Sequence, residues 1–432
     1  MPPTAVANAG VLRQAPSDAR RPSVAILVDD LVTWYVSGLQ PTGIQRVVSE
    51  LLDTASGRTD IGFWPAVSVI RPPASEALCL AEVQLQDLRW EAVAGGASRG
   101  LRSLRRARRI VKRLPMPPPI RRRVKTAYAA FARGRGEIRV GDRTAPDVPD
   151  LLLVPGAFWG SGTESVIFRI AEIGIPVRLV IYDLFPVRNP EWFPRQFCME
   201  FEEALDRLVP VSDRIVTLSE EVANQVADRD PASAGRIRIA VPSLGAHAPR
   251  SGLGHGDIRA PVAGPFLLAL GTVEPRKNHR VILDAWRLAL EDPRVAGTRL
   301  VVAGQQGWKS DDVEAEIARD ARRLGIVRLV NATDPVVEAL YRDCLATVHA
   351  SWAEGLGLPA RESVVRGIPT LMSSTIPRDG LPDGTYRLFD PSDPVHLAAE
   401  MIDVIVAGPI RGPVFVRKGT GWESVLSALV DQ

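Results

Sequence analysis

The stretch LLALGTVEPRKNHRVILDAW, residues 267–286, changes its period halfway along. Its apolar run to Leu270 is short and continuous, as a strand buried on both faces requires. Gly271 ends that run. Past the loop, Val281, Ile282 and Ala285 recur at helical spacing, so the stretch reads strand, loop, helix. The alternation continues with strands at FLLAL (266–270), TRLVVAG (298–304), IVRLV (326–330), LATVHA (345–350) and IPTLMS (368–373). Helices fit between them at about 278–290, 311–324, 335–343 and 359–366. Such alternation implies a parallel sheet with helices on both faces.

Upstream the pattern appears once more. VAILV (24–28) reads as a buried strand and is followed by PTGIQRVVSELL, in which Ile44, Val47, Val48, Leu51 and Leu52 keep helical spacing and Gly43 opens the helix. LLLV (151–154), PVRLVIY (176–182) and RIVTL (214–218) read as further strands. The segments after Phe193 and Ser219 read as helices, with Ser219 as an N-cap. From Ala248 to Gly264 the chain is rich in Gly and Pro, which marks a linker. The fold class is therefore α/β, with two Rossmann-like domains facing each other across a cleft: residues 23–250 and 251–408. Residues 1–22 read as a mobile tail, and 409–432 as a separate C-terminal segment. Ligands of such sheets bind at the carboxyl ends of the strands.

Composition narrows the class. The 432 residues are 46% hydrophobic and 24% charged, with a net charge of +3, which is ordinary for a globular chain. The three cysteines are far apart and form no CxxC, so a disulfide framework is not expected and a cytoplasmic setting is. No signal peptide and no apolar run of ~20 residues is evident. The region 95–136 breaks the alternation. It contains no acid, and reads as an insertion of two basic helical pieces split by Pro115, Pro117, Pro118 and Pro119. Residues 99–135 are a candidate surface for an anionic membrane, at about 1 kcal/mol per basic residue near the lipid. The same stretch supports a competing reading as a nucleic-acid binder, against which stand its few aromatics.

The chemistry concentrates in EGLGLPARES, residues 354–363. Pro359 fits the start of a helix, and Gly355 and Gly357 let the preceding backbone approach a ligand. The amides of Gly355, Leu356, Gly357 and Leu358 then form an anion site. Glu354 and Glu362 flank it, and a carboxylate's two oxygens suit the paired donors of a vicinal diol. Either acid alone reads as a loop carboxylate or a complement to the helix dipole. Arg276 and Lys277 fall in the loop after the 266–270 strand, where two cations can hold a diphosphate. Charge-assisted hydrogen bonds of about 1.5–3 kcal/mol each would outweigh a helix end. Gly43 opens a helix on the opposite side of the cleft, and Tyr182 and Asp183 end a strand there as candidate contacts for sugar or acceptor. The histidines show no ligand spacing. Asp228-Arg229-Asp230 reads as a helix end entering a proline turn, so no metal is expected.

Together EGLGLPARE, GTVEPRKN, VVAGQQGW and LFDPSDPVHLAAEM resemble the retaining glycosyltransferases of family 4, which have the GT-B fold. PTGIQRVVSELL, YDLFPVRNPE and DRIVTLSE resemble the N-terminal half of bacterial members that build O-antigen and exopolysaccharide, often mannosyl- or rhamnosyltransferases using GDP-sugars. The resemblance implies that Glu354 and the 355–358 amides contact donor sugar and phosphate, and that Glu362 holds the ribose. It implies further that Arg276 and Lys277 grip the diphosphate, that Gly43 approaches it, and that a helix starting at Trp422 and Glu423 crosses back to the first domain. Three positions depart from the pattern: Tyr182 stands where many relatives have histidine, Thr272 where many have arginine, and STIPRDGLPDG lacks a common glutamate. The resulting expectation is a metal-independent retaining hexosyltransferase without cofactor. Its donor would be GDP-mannose and its acceptor a lipid-linked glycan or polysaccharide, with the enzyme cytoplasmic and peripheral to the inner face of the membrane. The alternatives are an inactive GT-B scaffold or the nucleic-acid binder.

Overall fold

The computed structural model describes residues 21–31, 43–70, 78–82, 149–160, 162–244, 258–415 and 421–431. The basic segment 95–136 and most of the 1–22 tail lie outside the described residues.

Two sheets organise these residues. The first contains β1 (Ser23–Leu27), β2 (Gly62–Ile70), β3 (Leu78–Glu82), β4 (Leu151–Val154), β5 (Val177–Ile181), β6 (Arg214–Thr217) and β7 (Ile237–Ile239), in the order β3-β2-β1-β4-β5-β6-β7. The second contains β8 (Phe266–Leu270), β9 (Arg299–Ala303), β10 (Ile326–Leu329), β11 (Ala346–His349), β12 (Thr370–Ser373) and β13 (Tyr386–Phe389), in the order β10-β9-β8-β11-β12-β13. All pairings are parallel except β2 with β3. β4, β11 and β12 are buried throughout: β4 as its apolar run LLLV requires, β11 and β12 with Thr347, His349, Thr370 and Ser373 buried among apolar neighbours.

Strands β8 to β12 fall where the alternation placed them, whereas the short β7 and β13 do not appear in the sequence reading. β2 and β3 do not appear in the sequence reading, because GFWPAVSVI carries Pro65, which argues against a central strand. The register resolves this. β3 pairs with β2 only from Ala66 onward, so Pro65 occupies a part of β2 whose outer side has no neighbouring strand among the described residues.

The helices cover both sheets. On the second, α6 (His279–Ala289) presents Val281, Ile282, Ala285, Trp286 and Ala289 to the interior. It packs against α10 (Pro394–Ala407), whose start is capped by Asp393 accepting from the amides of Val395 and His396. Trp286 is fully buried, and its indole N–H donates to the Leu324 carbonyl at 2.8 Å; burial of such a side chain contributes about 2–3 kcal/mol. Between α6 and α10 lie α7 (Asp311–Leu324), α8 (Asp334–Asp343) and α9 (Leu358–Val365). On the first sheet, α1 (Ile44–Ser56) buries Val47, Val48, Leu51 and Leu52. It is followed by α2 (Thr163–Glu172), the short α3 (Phe185–Arg188), α4 (Arg195–Leu208) and α5 (Glu220–Arg229). Asp230 closes α5 ahead of Pro231, so the DxD sits at a helix end.

The chain passes between lobes twice. After α10 it returns to the first sheet as α11 (Glu423–Val430), whose Trp422, Val425, Leu426 and Leu429 join the core of β1 and α1. Arg178 and Arg214 donate to the Leu429 and Ala428 carbonyls at 2.7 and 2.9 Å, placing cations at the helix C-terminus, where the dipole favours them. The two passages meet side by side: the Ser243 amide donates to the Gly421 carbonyl at 2.9 Å.

Candidate active site

The carboxyl ends of β8 and β11 carry the groups that the sequence singles out. After β8 a single 3-10 turn, Pro275–Lys277, is closed by Asn278 in the left-handed region (φ 51°). The Asn278 side chain is tied down by a 2.8 Å hydrogen bond to the Pro391 carbonyl. This turn aims Arg276 and Lys277 at the loop after β11. There Glu354 Oε2 accepts from Arg276 Nη1 at 2.8 Å, and Glu354 Oε1 accepts from Lys277 Nζ and Ser351 Oγ, each at 2.5 Å. Arg276 also donates to the Ala353 carbonyl and to Glu274, and its guanidinium lies 5.4 Å from the Phe185 ring centroid of the first lobe.

The electrostatics follow from this packing. Burial opposes ionisation of Glu354, but the charges of Arg276 and Lys277 more than offset it and hold the carboxyl well below its usual range. Asp183 lies two residues past the end of β5 on the facing lobe. Burial pushes it up to about 6, with Arg276 partly countering. Asp30, after β1, is likewise raised to about 6 by burial, although it accepts from the Leu31 and Ala157 amides. A pocket between β8, β11 and the start of α9 is lined by Lys277, His279, His349, Ser351, Glu354 and Gly357. Burial, reinforced by Lys277, drives both histidines down to about 3, so they are neutral at pH 7. His279 Nδ1 has no partner among the described residues.

α9 supplies the amides. Gly357 caps it in the left-handed region (φ 71°), and Pro359 occupies the second helical position, not the first. Among the described residues no group accepts from the amides of Gly355, Leu356, Gly357 or Leu358. The side chains of Leu356 and Leu358 point elsewhere, into the core of the first lobe. Glu362 lies in the next turn, 5% exposed. Its carboxylate accepts from the Tyr341 hydroxyl at 2.9 Å and pairs with Arg46 of the first lobe at 2.8 Å.

The structure thus brings Arg276, Lys277, Glu354, the 355–358 amides and Asp183 together. Glu362 sits on the other side of the same helix start, opposite the helix that Gly43 opens. Tyr182 contributes differently: its main chain abuts Gly355, while its hydroxyl donates to the Pro155 carbonyl at 2.5 Å inside its own lobe. The sequence reading missed Arg46, Ser351, Glu274 and Asp30. For Arg46 there was a signal, since a cation in the first turn of a helix opposes the dipole and calls for a compensating anion. Among the described residues no cluster of three or more His, Cys, Asp or Glu is placed to hold a metal, and no helix is long and apolar enough to cross a membrane.

Residues 264–406 match the family described as glycosyl transferases group 1. The serotype-specific mannosyltransferase WbdA of Escherichia coli is 27% identical over 208 residues, 45% of this chain and 25% of that protein. The chain therefore aligns with only about a quarter of that relative's length. The D-inositol 3-phosphate glycosyltransferase of Nocardiopsis dassonvillei is 26% identical over 318 residues, 68% of this chain and 72% of that one. Among solved structures, Anabaena Alr3699/HepE in complex with UDP-glucose superposes with a TM-score of 0.52 at 13% identity, over 94% of this chain and 95% of that one. The chain has the GT-B fold, and residues 264–406 of its second lobe carry the match to the glycosyl transferases group 1.

Proposed function

We propose that the protein transfers a hexosyl group from a nucleoside-diphosphate sugar to a hydroxyl of a glycan acceptor. The observation that carries this is the convergence of Arg276, Lys277 and Glu354 on the unpartnered amides of Gly355–Leu358, at the cleft face of a group 1 lobe. Lys277 has three N–H donors and Arg276 five, so both can share a diphosphate without releasing Glu354. Glu354 would then face the sugar and Glu362 the ribose. In the reaction the bond between the anomeric carbon and the diphosphate oxygen breaks, the acceptor oxygen bonds to that carbon, and the acceptor proton passes to the departing diphosphate. Front-side attack of this kind retains configuration and needs no histidine base.

Mannose from GDP-mannose is the donor we favour, because WbdA is named a mannosyltransferase. HepE, crystallised with UDP-glucose, makes a UDP-sugar the comparison to run. We further propose that transfer is metal-independent and occurs in the cytoplasm at the inner face of the membrane, on a lipid-linked acceptor. Purified protein is to be incubated with GDP-mannose or UDP-glucose, with and without EDTA, while release of the nucleoside diphosphate is followed. Release that survives EDTA and disappears in both Glu354→Ala and Lys277→Ala supports the reading; unchanged release in both variants overturns the site.

A further inference from the structure

Arg46 stands in the first turn of α1, where exposed amides already present positive charge. What holds it there comes from the other lobe: Arg46 Nη1 lies 2.8 Å from Glu362 Oε1, while the second oxygen of Glu362 accepts from Tyr341. The two partners differ in setting. The Glu362 side chain is 7% exposed and that of Arg46 is 47% exposed, so a buried carboxylate is covered by a cation with room to swing. The Glu362 charge is the main reason that the Arg46 guanidinium holds its proton more tightly than usual. Ile44 and Leu358 pack into one apolar cluster, which sets the starts of α1 and α9 against each other. A ligand seated at the start of α9 and reaching Glu362 meets Arg46.

We propose that Arg46 is a donor-binding residue that changes partners. Without donor it neutralises Glu362; on donor entry the ribose hydroxyls take over Glu362 and the guanidinium moves onto the diphosphate. This rests on the reading of Glu362 as the ribose-binding acid. Throughout the exchange Glu362 keeps the Tyr341 hydroxyl and the charge of Arg366, which donates to the Glu362 carbonyl at 2.7 Å; this matters because an unpaired buried carboxylate is strongly destabilising. The planar fork of arginine suits two phosphate oxygens better than a point charge does. Arg46 therefore opposes binding of the ribose and assists binding of the diphosphate, so the two parts of one nucleotide respond oppositely to its loss.

The test uses calorimetric titration of the full chain with GDP, UDP, guanosine and uridine, for the wild type, Arg46→Ala and Arg46→Lys. For whichever base binds, Arg46→Ala is expected to weaken the diphosphate at least tenfold while the matching nucleoside binds as well or better. Arg46→Lys, which keeps the charge without the fork, should fall between. Equal weakening of nucleoside and diphosphate, or none of either, overturns the exchange and leaves the donor site standing. A wild type that binds neither GDP nor UDP at millimolar concentration overturns the donor site, and the proposal with it. Melting temperatures of the variants identify any loss of folding, and the lysine variant carries the comparison if alanine is unstable.

Discussion

A methyl group on Gly355 would lie 2.3 Å from the main-chain oxygen of Tyr182, across the boundary between the lobes. Neither atom belongs to a flexible side chain, so Gly355→Ala forces either the lobes or the loop after β11 to shift. A displacement of about 1 Å at a reacting centre costs about 100-fold in rate. Transfer by Gly355→Ala is expected to fall about 100-fold, with a lower melting temperature as well, because Leu356 and Tyr182 beside the contact pack into the core of the first lobe. Initial rates, with small-angle scattering for the lobe separation, check this.

Glu354 and Lys277 are to be separated by stability as well as rate. In Glu354→Gln the buried Lys277 loses its anion while Arg276 keeps Glu274, and stranding a buried charge costs about 3 kcal/mol. In Lys277→Met, Glu354 keeps Arg276 and Ser351, so stability falls less, while the donor loses a cation and its KM rises. Chemical denaturation should therefore rank Glu354→Gln as the less stable variant, with transfer reduced at least 100-fold in both. Equal stability of the two would mean that Glu354 is not the common partner of the cations.

Asp30 predicts a pH dependence of folding. Its carboxyl is raised from 3.8 to about 6, mainly by burial, so the folded chain holds this proton more tightly than the unfolded one. Its contribution favours folding below about pH 4 and is lost as the pH rises through about 6. Asp30→Asn removes the buried negative charge and keeps an acceptor. At pH 8 the variant should be more stable than the wild type by on the order of 1 kcal/mol, with the gain vanishing toward pH 4. Melting curves across that range measure it.

Trp308 joins the lobes in the aromatic cluster that also holds Phe185 and Ala353, beside the Glu354 loop. Its ring centroid lies 5.3 Å from that of Phe193 and 5.0 Å from that of Phe197, and the neighbouring Lys309 donates to the Glu191 carbonyl at 2.6 Å. Aromatic contacts of this kind contribute about 0.5–1.5 kcal/mol beyond burial. Trp308→Ala should expose the lobe boundary to protease several times faster, with donor nucleotide still bound. Limited proteolysis beside a nucleotide titration tests both parts.

The sequence made most of the second lobe legible because β8, β9 and β11 are short apolar-rich strands, each followed by a helix, while β13 follows β12 without one and went unread. β2 escaped notice because Pro65 argues locally against a strand, and only the position of β3 removes the conflict. The site divided along the same line. Glu354, Arg276 and Lys277 belong to one lobe and stand beside glycine-rich turns, so their neighbourhood could be read. Arg46 could be recognised as misplaced for its helix dipole, but its partner Glu362 lies in the other half of the chain, and only folding brings the two within 2.8 Å. Tyr182 shows the opposite failure: its position was legible and its direction was not, since the hydroxyl turns to Pro155.

The two chain passages between lobes, side by side at Ser243 and Gly421, limit how the molecule can open. One connection would let the halves tumble about a point. The Ser243–Gly421 hydrogen bond, with α11 anchored by Arg178 and Arg214, brings the described ends of both connections to one place on the first lobe. The Arg46–Glu362 and Trp308–Phe193 contacts then act as catches on a door.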